Sequence, residues 1–137
     1  MEVDPTGRSP QDAGAKLDSG KVRPGLVLGG FARALWAVSE VGTVGANKYS
    51  DNGWVSVPNG ESRYDDAGMR HWLKDKMGEK QDDDSKLRHL AHEAWNALAV
   101  LDLALREQEA KRVPKFILKP GTLNEITVNP LQSNPRW

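Results

Sequence analysis

The sequence predicts an all-α protein, a helical bundle that runs on into an extended C-terminal arm. Three observations carry this expectation. Between Ser85 and Glu109, the residues Leu87, Ala91, Ala94, Leu98, Leu101 and Leu105 recur at alternating four- and three-residue steps, the period of one helix face. Phe31, Ala34, Leu35, Val38 and Val41 repeat that pattern upstream. Between the two, no proline interrupts residues 62 to 77.

In order along the chain, residues 1 to 15 are rich in Gly, Pro, Asp and Ser and are expected to form a flexible leader. KLDSGKVRPGL, residues 16 to 26, sets Lys16, Lys21 and Arg23 around Ser19-Gly20. Such a loop either cradles an anion with backbone N–H groups or is simply solvated. A helix is expected from Phe31 to about Lys48, with Glu40 its only acid. YSDNGWVSVPNGES, residues 49 to 62, reads as a loop, long enough to suggest a functional one.

Ser62 with Asp65 fits a capping box opening the next helix. Met69, Trp72 and Leu73 form its apolar side, and Arg63, Arg70 and Lys74 a basic stripe, with Tyr64 and His71 beside it. Gly78 suits the helix C-terminus, and Asp84 or Ser85 the cap of the last helix. Beyond Glu109, four prolines and two short strand-like runs, Lys115 to Leu118 and Ile126 to Val128, exclude a continued bundle. Residues 16–110 are therefore read as the helical domain and 111–137 as the arm.

Composition removes several function classes. The 19 basic and 19 acidic side chains cancel, so no general attraction to nucleic acid or membrane surfaces is expected. Without cysteine there is no disulfide, thiolate metal site or thiol nucleophile. No apolar run reaches the length of a membrane span, and the N-terminus lacks an apolar signal region. A cytoplasmic protein is expected.

The chemistry gathers on the last helix. At about 100° per residue, His89, His92, Glu93 and Asn96 share a side that also carries Val100 and Leu103. That side is expected to face another element rather than water. Buried polar groups are costly without partners, so the cluster is either a satisfied core network or a site for metal and substrate. Glu79, Asp82 and Glu93 offer carboxylates and Asn96 an amide oxygen, which suits Mg²⁺ or Mn²⁺. Imidazole from His71, His89 or His92 is accepted by Mn²⁺ and preferred by Zn²⁺. With Arg63, Arg70 and Lys74 nearby, the set suggests metal-assisted hydrolysis of a phosphoanhydride. Five tryptophans against two Phe and two Tyr make Trp54 and Trp95 candidates to stack on a base.

These residues fall in blocks: KLDSGKVR at 16–23, GANKY at 45–49, NGW at 52–54, SRY at 62–64, RH at 70–71, GEKQDDDS at 78–85 and HLAHEAWN at 89–96. In this order and spacing, residues 16 to 105 resemble the phage-encoded dATP/dGTP diphosphohydrolases related to MazG, including the MazZ type. The resemblance implies an all-α NTP pyrophosphohydrolase bundle that is a homo-oligomer, dimer or tetramer. It implies Mg²⁺ or Mn²⁺ as cofactor and conversion of a dNTP to dNMP and pyrophosphate. MazZ-type enzymes take dGTP and supply dGMP for 2-aminoadenine nucleotides, here in the host-cell cytoplasm.

The expected catalytic residues are Glu79, Asp82 and Glu93. Metal ligands are expected from Glu79, Asp82, Glu93, Asn96 and His92. The expected substrate contacts are Lys21, Arg23, Lys48, Trp54, Arg63, Arg70, His71, Lys74 and His89. The sequence departs from the wider superfamily, which pairs ExxE with ExxD. Here the pairs are Glu79 with Asp82 and Glu93 with Asn96, and SEVGT at 39–43 keeps only Glu40 of an EEVGE-like segment. Two other classes are open. An HD-type phosphohydrolase needs an adjacent His-Asp pair that the chain lacks. A non-catalytic nucleotide- or partner-binding bundle needs only the basic stripe.

Overall fold

The computed structural model describes residues 1–112, and every regular element in them is a helix. These are α1 (Pro24–Gly30), α2 (Ala32–Lys48), α3 (Gly60–Lys76) and α4 (His89–Arg112), with a 3-10 turn at Gly53–Ser56. The all-α expectation holds. Lys111 and Arg112 close α4, and the rest of the expected arm, with its strand-like runs at 115–118 and 126–128, lies outside the described residues. No helix among these residues is long and apolar enough to cross a membrane.

The described residues belong to two units, 1–31 and 32–112. In the first, the leader is tied to the segment that follows it. Asp4 is buried and accepts from the backbone N–H groups of Thr6 and Lys16, both at 2.6 Å. The Ser19 N–H donates to the Val3 carbonyl at 3.0 Å. After a turn at Gly20 (φ 74°) the chain enters α1 at Pro24, inside the stretch expected to be a loop. Proline's fixed φ suits the first helical position, and seven residues are too few to show a periodic face.

The second unit is built on α3 and α4, which pack more extensively than any other pair, with α2 laid against α4. Gly60 lies against Leu103, Gly68 against Asn96, and His71 against His92 and His89. Numbers rise on one helix as they fall on the other, so the pair is antiparallel. Gly42 of α2 meets Trp95 of α4: a Cβ there would stand 3.1 Å from the indole nitrogen. Close approach at glycine does much of the packing, because only Val41, Ala91 and Ala99 are buried apolar residues among those described.

Two boundaries and one face differ from expectation. α3 starts at Gly60, capped by Asn59 in the left-handed region (φ 54°) without a side-chain bond, so Ser62 and Asp65 are not its capping box. Glycine at position 60 lets the first turn come within contact of Leu103, which draws the helix start forward. α4 begins at His89 rather than Ser85. Before it, Asp82 Oδ2 accepts from the Ser85 N–H at 2.8 Å, Ser85 Oγ from the Leu87 N–H at 3.2 Å, and Lys86 is left-handed (φ 62°). Side-chain bonds of this kind compete with helix formation. An antiparallel bridge between Gln81 and Arg88 then closes the loop, and Lys80 anchors it to buried Asp75 at 3.2 Å. On α4, the apolar stripe is half open at Leu98 and Leu101, while His89, Asn96 and Ala99 are buried.

Candidate active site

The paired faces of α3 and α4, closed at one end by the 79–88 loop, bring three imidazoles together. His89 has no solvent exposure. Its Nε2 lies 3.0 Å from Glu79 Oε1 and its Nδ1 2.8 Å from His71 Nδ1. The His71 ring stacks on His92, with centroids 4.3 Å apart and planes 9° from parallel. Ser85 joins the group, its Oγ 2.7 Å from His92 Nε2 and its N–H donating to Asp82. Ligand-type atoms of His71, Asp82 and His89 all lie within 4.8 Å of one another.

Proximity sets the charge states. Burial, then the neighbouring imidazoles of His92 and His89, lower the His71 pKa to about 4 against the opposing carboxylate of Asp82. Burial also lowers His92, against the pull of Asp82. For Asp82 burial acts upward, but the N–H and hydroxyl of Ser85 and the two imidazoles outweigh it and hold the carboxyl below its ordinary value. At neutral pH His71 and His92 are thus neutral imidazoles with lone pairs, beside the ionised carboxylate of Asp82.

His71, Asp82, Ser85, His92 and Asn96 line one side of a cleft of about 1300 Å³. Lys48, Arg63 and Arg70 line it too, as do the acids Asp51, Asp66 and Asp84. The Asn96 amide nitrogen donates to the His92 carbonyl at 2.8 Å, which leaves its oxygen free to accept. Trp54, Tyr64 and Trp95 form an aromatic end, packed edge to face with centroids 5.5–6.4 Å apart. The Tyr64 hydroxyl donates to the Trp54 carbonyl at 2.8 Å. Trp54 and Trp95 also border a second, apolar hollow of about 520 Å³ between α2 and α4, where Leu98, Leu101 and Leu105 project.

Of the residues expected from sequence, Lys48, Trp54, Arg63, Arg70, His71, Asp82, His92 and Asn96 line this one cleft. His89 and Glu79 stand behind His71, and Lys74 lies 3.8 Å from Glu79. Glu93 is half-buried on α4 and is not part of the cleft wall. Lys21 and Arg23 belong to the first unit, where Lys21 pairs with Glu2 at 2.9 Å. Sequence reasoning missed Ser85 and Asp66. Asp66 lies three residues after Arg63 and four before Arg70, on the same helix face, so its place was readable. Ser85 looked like a helix cap, and only the loop geometry shows it bridging Asp82 and His92.

A family model described as dATP/dGTP diphosphohydrolase, N-terminal, matches residues 11–112. No curated protein and no solved structure matches the chain.

Proposed function

Because the chain belongs to the dATP/dGTP diphosphohydrolase family, we propose that the cleft between α2, α3 and α4 hydrolyses a purine dNTP to dNMP and pyrophosphate. The observation that carries this reading is the mixed wall of the cleft, where Arg63 and Arg70 stand with Asp82, His71 and His92. Cations alone would fit a binding site, and acids alone a metal store. Metal-assisted phosphoryl chemistry needs both around one substrate.

Asp82, His92 and Asn96 would hold a divalent ion, with Glu93 the next acid on the same helix. One carboxylate, one imidazole and one amide oxygen fit Mn²⁺ and, with more retained water, Mg²⁺. Bound there, such an ion would supply positive charge to the phosphates and lower the pKa of a water. Lys48, Arg63 and Arg70 take up charge on the pyrophosphate as it leaves. Trp54 or Trp95 stacks on the purine. dGTP is the favoured substrate, and dGMP for 2-aminoadenine nucleotides the proposed use of the product, both on the resemblance to MazZ-type enzymes. A phage origin and action in the host cytoplasm belong to the same reading.

The test is turnover of dGTP by metal-depleted protein, with and without added Mn²⁺, for the wild type and Asp82→Asn. Turnover is expected only with the ion, and Asp82→Asn should lower kcat/KM by about 100-fold or more. Full activity in excess chelator contradicts the reading. Binding of dGTP without any turnover would favour the non-catalytic bundle.

A further inference from the structure

We propose that Glu79 and His89 act through His71, fixing its tautomer so that His71 Nε2 accepts a hydrogen bond from the attacking water. The role assigned to that water rests on the hydrolytic reading above; the tautomer does not.

His89 is wholly buried and both its ring nitrogens are engaged, Nε2 with Glu79 Oε1 at 3.0 Å and Nδ1 with His71 Nδ1 at 2.8 Å. A carboxylate only accepts, so the hydrogen lies on His89 Nε2. A neutral imidazole has one donor and one acceptor, which makes His89 Nδ1 the acceptor. His71 must then donate from Nδ1, and its Nε2 is left with a lone pair. The alternative is a doubly protonated His89. It would put a fully buried cation against an acid that Lys74 already approaches at 3.8 Å, and burying an extra charge is costly.

The ring is also held in direction. Its edge is fixed by the bond to His89, and its face by the stack on His92. His71 lines the cleft whereas Glu79 and His89 do not, so Glu79 and His89 are positioning residues. The logic is that of a carboxylate orienting a catalytic imidazole, with a second imidazole inserted between them. A metal-bound or catalytic group commonly depends on such supporting partners for about 10–100-fold in activity.

Histidine-selective ¹⁵N NMR of the intact protein, free of metal and nucleotide, reads the tautomers directly. The wild type should show His71 protonated at Nδ1 and bare at Nε2, and His89 the reverse. Glu79→Ala should release that preference and lower kcat on dGTP by about 10–100-fold, with KM changed by less than about three-fold. Glu79→Gln keeps an oxygen that accepts from His89 Nε2, so it should retain the wild-type tautomer and recover most of kcat. A wild-type His71 protonated at Nε2 overturns the proposal, as does a Glu79→Ala protein with unchanged spectrum and kcat. So does Glu79→Gln with the wild-type tautomer and the full loss of kcat, which would make the Glu79 carboxylate a ligand instead. If Glu79→Ala does not fold, the wild-type and Glu79→Gln spectra still decide. Intact tautomers in a protein that leaves dGTP untouched would count against the hydrolytic reading alone.

Discussion

Gly68 of α3 lies directly against Asn96 of α4: a Cβ added to Gly68 would stand 3.2 Å from Asn96 Cβ. The contact sits one turn from His71 and His92, so the spacing of the two helices and the width of the site are set together. Gly68→Val is expected to destabilise the protein by about 1–3 kcal/mol through overpacking and to lower kcat/KM. Denaturant unfolding and steady-state kinetics on the same preparation check both. A stable Gly68→Val protein with normal activity would mean that the helices can part here without consequence.

Arg70 lines the cleft, whereas Arg112 is exposed in the last turn of α4. Arg70→Ala should reduce kcat/KM by about 10-fold or more through lost charge on the phosphates. Arg112→Ala should stay within about two-fold. Equal effects would mark the basic stripe as an ordinary solvated face.

Helix α2 and most of α4 were legible because their apolar residues repeat at the helical period, and α3 because no proline interrupts residues 62 to 77; so was the burial of His89 and Asn96 on the second face of α4. The loop at 79–88 was not. Asp82, Ser85 and Lys86 trade helical hydrogen bonds for side-chain bonds and a left-handed turn, and residue types alone do not reveal which set wins. The candidate site suffered in the same place. The sequence offered Glu79 and Asp82 as ligands of one metal site, whereas the loop turns Glu79 toward His89 and Asp82 toward Ser85. Leu98 and Leu101 are a different case, since their period is helical but their side chains stay half open.

Stability should fall with acidification well before the carboxylates titrate. His71 is held from its ordinary 6.5 down to about 4, and His92 is lowered as well. Between those values the unfolded chain binds protons that the folded one excludes, so unfolding free energy decreases as pH falls through this window. The slope is at most about 1.4 kcal/mol per pH unit for each proton. The lowered Asp82 adds loss in the same direction, but only as pH drops below about 3.8. Urea unfolding from pH 7.5 to 4.5 measures the slope. His71→Gln should flatten it, and an unchanged slope would show that His71 titrates normally.

Met69, Leu73 and Met77 follow one another at four-residue steps on α3 and its cap, and all three are exposed. With so few buried apolar side chains, a homo-oligomer, dimer or tetramer, is expected to cover such a face. Light scattering at micromolar concentration checks this. A monomer throughout that range contradicts it, and Leu73→Lys should shift an oligomer toward smaller species.

The function proposed for the cleft turns on which bond of the triphosphate breaks. Water attacking the α-phosphorus in line, with Lys48, Arg63 and Arg70 taking up charge on the departing group, releases pyrophosphate in a single step. Incubation of dGTP with the protein and Mn²⁺, followed by ion-pair chromatography, resolves the products. Hydrolysis at the α-phosphorus yields dGMP and pyrophosphate in equal amounts, while dGDP with orthophosphate, or deoxyguanosine with triphosphate, would contradict it.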